Sequence, residues 1–308
     1  MHNTQKSSTT LRGLIVRTQS GFFTVQTDMG IFECRLRGKL KRGEYPGDLA
    51  AIGDWVQVRP LNGQRGVIET IEPRQRMIAR LAPTPRGEYQ QIIVANPDQA
   101  VFIFACEEPK PRFRMLDRFL VIAEKEGIAA VIVANKVDLV GLEQAQDLFG
   151  HYIPIGYPVI YTSAKTGYGL EELRQCLKGK LSVFAGPSGA GKTSLLNAIQ
   201  PGLGLEVRQV SRATGKGTHT TVASQMFPLQ EGGYVADTPG LKSLALWDIT
   251  PDELDGYFPE MRPLVAECQF NDCTHIHEPN CAVLKAVAEG RVHPARYESY
   301  LRLRLGEE

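Results

Sequence analysis

The chain has 308 residues, a formal net charge of +1 and 43% hydrophobic residues. A chain of this length exceeds the range of most single cores and predicts two or three domains. Its longest apolar runs, at 101–106 and 128–134, are far too short to cross a bilayer. The first ten residues are polar and lack an apolar signal core, so we expect a cytoplasmic protein without membrane contact.

Residues 1–80 predict a small basic β-barrel. They carry 13 Lys and Arg against 7 Asp and Glu, whereas the rest of the chain carries 22 against 27. We expect roughly the first ten residues to be disordered. Five short β-like segments separated by glycine-rich turns then favour an OB-type barrel. These segments are 11–16, 22–27, 31–36, 54–58 and 67–71.

A basic cluster lies within this region. It consists of Arg35, Arg37, Lys39, Lys41 and Arg42. OB-type barrels with a cationic loop and exposed aromatic side chains commonly bind nucleic acid. We therefore expect the cluster to bind RNA, with Phe22 or Phe23 as candidate aromatic partners. The alternative is a solvated charge run on an ordinary β domain.

From residue 81 onward strands and helices alternate, which predicts a parallel sheet with covering helices. We expect an α/β domain at 81–245, joined to the barrel by a linker at Pro83 and Pro85, and a mainly helical domain at 246–308. The predicted strands are 92–95, 100–106, 129–135, 159–162 and 181–185. The predicted helices are 115–126 and 193–199.

A phosphate-binding motif, G-x-x-x-x-G-K-[ST], lies between an apolar strand and a helix, as its chemistry requires. Its glycines let backbone N–H groups surround phosphates, its lysine reaches the outer phosphates, and its last hydroxyl ligates Mg²⁺. The residues are Gly186, Pro187, Ser188, Gly189, Ala190, Gly191, Lys192 and Thr193, followed by Ser194. This motif alone predicts a nucleoside triphosphate.

A base-reading motif, N-K-x-D, specifies which nucleotide. It consists of Asn135, Lys136, Val137 and Asp138. The aspartate accepts hydrogen bonds from the N1–H and exocyclic amine of guanine, a pattern that adenine does not offer. We expect Asn135 and Asp138 to select guanine. A supporting S-A-K loop follows at Ser163, Ala164 and Lys165. Each short motif arises readily by chance, but together they predict GTP and disfavour an ATPase or P-loop kinase.

A D-x-x-G segment, Asp237 to Gly240, is typical of a γ-phosphate sensor. Between it and the phosphate loop lies 215–221, a Gly- and Thr-rich stretch suited to a mobile switch. We expect Thr221, or else Thr220, to complete the Mg²⁺ shell together with Thr193. Asp237 would support the metal through water.

Hydrolysis would proceed by in-line attack of water on the γ-phosphate, with Lys192 neutralising charge. Leu241 stands where Ras-like enzymes carry a water-orienting glutamine. His219 is our candidate for positioning the water, although a hydrogen bond that shapes the switch is an equal alternative.

The order of these motifs is reversed relative to an ordinary small GTPase, because the base-reading motif precedes the phosphate loop. This order predicts a circularly permuted GTPase. Such motifs lie on loops at the carboxyl ends of parallel strands, so moving the chain termini leaves the crevice intact.

A cysteine- and histidine-rich segment follows, spaced C-x4-C-x-H-x5-C. Its residues are Cys268, Cys273, His275 and Cys281. Four ligands of this type suit a closed, tetrahedral, structural Zn²⁺ site. His277 is a rival ligand, and buried free thiols are the alternative. We interpret Cys34, Cys106 and Cys176 as small core residues.

The basic barrel, the permuted motifs and the C-x4-C-x-H-x5-C segment together resemble the ribosome-small-subunit-dependent GTPase A family. Supporting stretches are 92–99, 114–119 and 272–279, and the match covers nearly everything after the first ten residues. The resemblance favours His275 over His277. It implies weak GTP hydrolysis stimulated by the 30S subunit, contacts with its rRNA, and release as GDP forms.

Two hypotheses of different class stay open, a subunit-stimulated turnover enzyme and a GTP-gated RNA-binding module. We expect a monomer in either case.

Overall fold

The computed structural model describes residues 10–42, 47–84, 87–203, 224–237 and 249–307. Contacts between Cα atoms divide the chain into two compact units. The first contains Met1–Asp98, Gly179–Val183 and Arg212–Ser243, and the second contains Gln99–Lys178, Phe184–Ser211 and Leu244–Glu308. The units group distant segments, so they do not follow the three domains predicted in chain order, and those boundaries stay a prediction.

A closed five-stranded barrel forms the amino-terminal part of the first unit. Its strands are β1 (Leu11–Gln19), β2 (Phe22–Thr27), β3 (Gly30–Leu36), β4 (Trp55–Pro60) and β5 (Arg65–Ile71). They pair in the order β1-β2-β3-β5-β4, and β4 pairs with β1 to close the barrel. Only the β3–β5 pair among these five strands is parallel. All five predicted strands, and the barrel itself, are confirmed.

Alternating burial explains why these segments form strands around one core. Inward-facing residues such as Ile15, Val25, Cys34 and Ile68 are fully buried. Their neighbours along each strand are more exposed, which is the period of two expected for a sheet with one solvated face.

Two antiparallel hairpins also belong to the first unit. One joins β6 (Met77–Thr84) to β7 (Gly87–Ala95), and the other joins β12 (Ser224–Pro228) to β13 (Tyr234–Asp237). The predicted linker at Pro83 is wrong, because Pro83 lies in β6 opposite Glu88. A two-stranded sheet consists of edge strands, and edge strands are where proline is tolerated in sheets. Pro85 lies outside the described residues.

Parallel strands form the centre of the second unit, in the order β10-β9-β8. They are β8 (Gln99–Ala105), β9 (Ala129–Asn135) and β10 (Val159–Thr162), and β11 (Leu181–Ala185) contributes its last two residues to this unit. Every residue of β8 is buried. Such continuous burial is typical of a parallel strand covered on both faces.

Four helices accompany these strands. They are α1 (Phe113–Lys125), α2 (Leu142–Phe149), α3 (Leu170–Leu177) and α4 (Lys192–Ile199). Helix α1 buries Leu116, Phe119, Leu120 and Ala123. This spacing places one apolar stripe against the strands, and the Phe119 ring stacks 5.5 Å from that of Phe102 in β8.

The carboxyl-terminal part of the second unit is short-helical. Its helices are a 3₁₀ helix at Pro251–Tyr257, α5 (Arg262–Val265), α6 (Ala282–Ala288) and α7 (Pro294–Leu305). Its own core is small and centres on Phe258, Met261, Val283 and Tyr300. Among the described residues, no helix is long and apolar enough to span a membrane.

A buried ionic network anchors α7 to α1 within this unit. Arg296 is fully buried and donates to Asp117 Oδ1 and Glu260 Oε1, each at 2.7 Å. Asp117 also accepts from the hydroxyls of Tyr152, at 2.8 Å, and Ser299. The buried charges therefore have partners, which is the condition for their being tolerated in a core.

Candidate functional site

The phosphate loop connects the end of β11 to the start of α4, and two of its glycines are required by space. A Cβ atom on Gly186 would lie 2.0 Å from the carbonyl oxygen of Ile103 in β8, and one on Gly191 would lie 2.4 Å from Asn135 Nδ2. Gly191 also has φ +92°, a conformation that favours glycine. The loop can therefore pack closely against neighbouring strand ends.

Lys192 begins α4 and turns back over this loop. Its ammonium Nζ donates to the carbonyl oxygens of Gly186, at 2.8 Å, and Pro187, at 2.9 Å. The positive charge is thereby held beside the backbone N–H groups at the start of the helix, where the helix dipole also favours an anion.

Asn135, the last residue of β9, is tied to two other loops. Its Nδ2 donates to Ala190 O in the phosphate loop at 2.8 Å, and its Oδ1 accepts from the hydroxyl of Thr162 at 3.1 Å. Asn135, Thr162 and Ala190 are all buried. One amide thus joins the base-reading loop, the phosphate loop and the end of β10.

Asp138 is positioned by the S-A-K loop. The hydroxyl of Ser163 donates to Asp138 Oδ1 at 2.6 Å and accepts from the amide of Thr166 at 3.2 Å. The turn that presents Asp138 starts at Lys136, which has φ +64° and whose Nζ donates to Glu108 O. Ala164 and Lys165 continue the loop after Ser163, and Val137 is buried.

The structure therefore brings together three of the predicted nucleotide motifs within one unit. Thr193 and Ser194 lie in the first turn of α4 beside them. Asp237 ends β13 in the other unit, and its side chain is outside the described set. The switch candidates Thr220, Thr221 and His219, and the sensor residue Gly240, lie outside the described residues.

The cysteine- and histidine-rich segment forms a second cluster in the carboxyl-terminal part of the second unit. The ligand atoms of Cys268, Cys273, His275 and Cys281 all lie within 4.8 Å of one another. Cys268 Sγ is 3.9 Å from Cys281 Sγ, and His275 Nδ1 is 3.6 Å and 3.3 Å from these two sulfurs. His277 is exposed and is not a member of this group, so the structure favours His275 as the ligand.

This geometry fits a tetrahedral metal ion. Bond lengths of about 2.3 Å to sulfur and about 2.1 Å to nitrogen imply ligand separations of roughly 3.5 to 3.8 Å in a tetrahedron. Burial raises the pKa of the Cys273 thiol to about 12. Binding of a cation would therefore have to displace thiol protons.

Comparison with known proteins identifies the family. A family model described as RsgA GTPase matches residues 71–247, and one described as RsgA N-terminal domain matches residues 12–68. The chain belongs to the RsgA GTPase family. Curated relatives include the small ribosomal subunit biogenesis GTPase RsgA of Gemmatimonas aurantiaca, 45% identical over 96% of this chain and 97% of that protein. The equivalent protein of Moorella thermoacetica is 44% identical over 94% of this chain and 95% of its own length.

Solved structures agree with this assignment. YjeQ from Thermotoga maritima has a TM-score of 0.79 at 36% identity and covers 97% of this chain and 99% of its own. YloQ, described as a circularly permuted GTPase, has a TM-score of 0.75 at 30% identity and covers 100% of this chain and 97% of its own. The predicted fold is therefore confirmed: an amino-terminal β-barrel, a circularly permuted P-loop GTPase and a carboxyl-terminal, mainly helical Cys₃His region. As an RsgA-family member, the chain is a GTP hydrolase.

The residues of the basic cluster in the barrel differ in their surroundings, which the sequence alone does not show. The guanidinium of Arg35 lies 4.3 Å above the centre of the half-exposed Phe22 ring. Arg37 instead pairs with Glu69 at 2.6 Å. Lys39 is exposed on the 3₁₀ helix Gly38–Arg42, and the side chains of Lys41 and Arg42 lie outside the described set.

Sequence reasoning missed several residues that shape these sites. Thr162 directly precedes the S-A-K motif, yet nothing in its local pattern marks it as the partner of Asn135. Glu278 was also missed; its carboxylate accepts from the amides of Thr274, Ile276 and His277 and so shapes the metal-binding loop. A local signal does exist for the start of the 3₁₀ helix Pro251–Tyr257: Thr250 and Glu253 form the S/T-x-x-E pattern of a capping box.

Proposed function

We propose that this chain uses GTP hydrolysis in the maturation of the small ribosomal subunit, as the names of its RsgA relatives state for those proteins. The observation that carries the proposal is the contact between Asn135 and the phosphate loop at Ala190, because it assembles guanine reading and phosphate binding into one site. A cytoplasmic location would follow from such a role.

In this proposal Asp138 selects guanine. Its carboxylate is acceptor-only when ionised, and the Ser163 hydroxyl holds one of its oxygens. Guanine presents two donors on its Watson–Crick edge, so an acceptor pair suits it. Lys136, Val137, Ala164 and Lys165 would line the same pocket.

Phosphate charge would be neutralised by Lys192 and by the backbone N–H groups of 189–193. These donors are fixed before the reaction, so they stabilise charge on the γ-phosphate without reorganisation as water attacks in line. Lys192 would leave the carbonyl oxygens of Gly186 and Pro187 for the phosphates when nucleotide binds.

The GTPase site also requires Mg²⁺ and the predicted switch segment at 215–221. Oxygen atoms are the ligands that Mg²⁺ prefers, and the hydroxyls of Thr193 and of a switch threonine (Thr221 or Thr220) would supply two of them. Asp237 would hold the ion through a water molecule. When bound, Mg²⁺ would neutralise charge on the phosphate oxygens. His219 stays our candidate for orienting the water, and Gly240 for sensing the γ-phosphate.

For the Cys₃His cluster we propose structural Zn²⁺. Three sulfurs and one nitrogen suit Zn²⁺ and leave no position for water. The ion would therefore cross-link a region whose hydrophobic core is small. The free energy of binding such a structural ion contributes directly to folding.

For the barrel we propose contact with rRNA through the basic cluster. Phe22 and Arg35 together offer an exposed aromatic ring and a cation, the combination that unpaired bases and phosphates favour. Among the described residues no ion pair joins Arg35 to a carboxylate, whereas Arg37 already pairs with Glu69. Arg35 is therefore the better candidate for a phosphate contact.

The enzyme hypothesis states that the subunit accelerates hydrolysis and that GDP formation releases the protein. Its test is multiple-turnover GTPase activity with and without purified 30S subunits. We expect strong stimulation, because Leu241 replaces the usual water-orienting glutamine and leaves room for a partner to supply that function. Equal turnover with and without subunits would refute stimulation.

The second candidate is a GTP-gated RNA-binding module in which hydrolysis only times release. The Phe22–Arg35 pair favours it. Pelleting with 30S subunits in the presence of GDP or a non-hydrolysable GTP analogue separates the two. Nucleotide-dependent binding without stimulated turnover would select the module.

A further inference from the structure

A carboxylate lies directly behind the histidine of the Cys₃His cluster. Asp255 Oδ2 is 3.0 Å from His275 Nε2. The side chain of His275 is fully buried and that of Asp255 is 15% exposed. On the opposite side of the ring, His275 Nδ1 faces Cys281 Sγ at 3.3 Å and Cys268 Sγ at 3.6 Å. The two ring nitrogens therefore have distinct surroundings.

This arrangement decides which ring nitrogen carries the proton. A neutral imidazole has one N–H donor and one acceptor nitrogen, and a carboxylate can only accept. Asp255 therefore holds the proton on Nε2 of His275, which leaves the Nδ1 lone pair directed at the sulfurs. A metal ion needs that lone pair, and a carboxylate behind a ligating histidine also increases its basicity.

Asp255 is held in place by its own segment of chain. It lies in the 3₁₀ helix Pro251–Tyr257, whose start is fixed by Thr250 and Glu253 in a capping box. Asp255 Oδ1 accepts from the amide of Gly256 at 2.7 Å. Immediately after the helix, the buried Phe258 packs edge-on against the Tyr300 ring at 5.6 Å. The carboxylate is thus presented by an element separate from the loop that carries the cysteines.

The metal-binding loop is held equally firmly on its own side. His275 has φ +59°, an unusual value for a residue with a side chain, and its carbonyl accepts from the Tyr297 hydroxyl at 2.7 Å. Backbone and ring are therefore both oriented by neighbours.

We propose that Asp255 is a positioning residue of the Cys₃His centre, which fixes the tautomer of His275 and thereby sets the affinity of the centre for zinc. The inference rests on the proposed zinc site. It also means that bound metal links the helix Pro251–Tyr257 to the cysteine loop through the His275 ring.

A matched control lies on the same short helix. Asp252 carries the same charge but is 90% exposed, and it pairs with Arg304 at 3.0 Å instead of with a metal ligand. Asp252→Asn therefore removes an equal charge from the same element without altering the His275 ring.

The experiment compares Asp255→Ala, Asp255→Asn and Asp252→Asn in the full chain loaded with zinc. Competition with a chromogenic chelator gives the zinc dissociation constant of each. We expect Asp255→Ala to bind zinc about 10- to 100-fold more weakly than wild type. Asp255→Asn should lose less, because its amide oxygen still accepts from Nε2, and Asp252→Asn should match wild type.

A second readout reports the tautomer itself. Long-range ¹H–¹⁵N spectra distinguish a His275 ring protonated on Nε2 from one protonated on Nδ1. If Asp255 had a purely structural role, its removal would leave this tautomer unchanged. Both proteins are compared without zinc, because zinc on Nδ1 would itself place the proton on Nε2. We expect Nε2–H in zinc-free wild type and a mixture of tautomers in zinc-free Asp255→Ala. Far-ultraviolet circular dichroism of each zinc-loaded variant monitors folding of the carboxyl-terminal helices, and Asp255→Asn carries the test where Asp255→Ala does not fold.

The outcomes separate this inference from the zinc proposal. Wild-type protein that binds no zinc refutes the zinc site. Wild-type protein that binds zinc, with equal affinities in the Asp255 variants and in Asp252→Asn, overturns the role of Asp255 alone. A weakened affinity in Asp255→Ala together with the tautomer change supports it.

Discussion

Exchange of Asp138 for asparagine should change which base the site accepts, whereas removal of the Asn135 side chain should not. In Asp138→Asn the amide keeps one acceptor but turns an N–H toward a donor of guanine. One guanine donor is then left unpaired, which costs about 1–3 kcal/mol. The affinity for GTP should fall by about 5- to 150-fold, since each 1.4 kcal/mol corresponds to about tenfold. The affinity for xanthine nucleotides, whose base offers a carbonyl at that position, should rise.

Asn135 provides the contrast because its contacts are to the protein. Asn135→Ala leaves the buried Ala190 carbonyl and Thr162 hydroxyl without their partner. Each unsatisfied group costs about 1–3 kcal/mol, so the free energy that holds the loops together should fall by about 2–6 kcal/mol. The second Nδ2 hydrogen of Asn135 could reach purine N7, but guanine and xanthine share that atom. The affinities for both nucleotides should therefore fall together.

Competition of GDP and XDP against a fluorescent nucleotide measures both constants for each variant. Ser163→Ala is the control, because it removes the hydroxyl that holds Asp138 but adds no donor for xanthine. Undiminished guanine affinity in Asp138→Asn would refute the base-reading assignment. A shift toward xanthine in Asn135→Ala would refute its role as a link between loops.

Three further predictions test the other parts of the molecule. Purified protein should contain about one Zn²⁺ per chain, and Cys273→Ala should destabilise the carboxyl-terminal region while retaining GTP binding; absence of zinc from protein purified under reducing, chelator-free conditions would contradict this. Arg35→Ala should weaken 30S binding in a pelleting assay and lower its salt slope by about 1, more than Arg37→Ala does, because Arg37 pairs with Glu69; equal effects would remove the distinction. Arg296→Met should lower the free energy of unfolding by about 3–5 kcal/mol, because it leaves carboxylates buried, whereas Arg302→Met, on the exposed side of the same helix, should cost under about 1 kcal/mol in urea unfolding.

The elements that sequence predicts well are those with a local cause. The barrel strands were predictable because apolar residues alternate along them and glycine turns separate them, as in β2 and β3. The hairpin of β6 and β7 was not, because Pro83 signals a break where an edge strand can in fact accommodate it. The composition of that segment does not tell whether a partner strand will lie beside it.

The candidate sites divide in the same way. Motif spacing predicted a phosphate loop, a base-reading loop and four candidate metal ligands, because each motif is contiguous or nearly so, and the structure brings the four Cys and His side chains together. Residues that act on a motif from elsewhere in the chain, such as Thr162 on Asn135 and Asp255 on His275, have no spacing to reveal them. Spacing predicts that Asn135 contributes to base selection, and the structure adds that its amide also binds Ala190 and Thr162. A hydrogen bond formed across the fold is visible only once the strands are in register.

Circular permutation is compatible with an intact site for a reason visible in these contacts. Asn135 and Ala190 are 55 residues apart along the chain, and they meet because Asn135 ends β9 and Ala190 lies in the loop that follows the carboxyl end of β11. Such a contact depends on where the strands end and not on the order in which the chain visits them. What the permuted order does change is the element that follows the predicted γ-phosphate sensor. After Asp237, the next described helix along the chain is Pro251–Tyr257, which carries Asp255 against His275. In this order the D-x-x-G segment is followed along the chain by the region that carries the Cys₃His cluster.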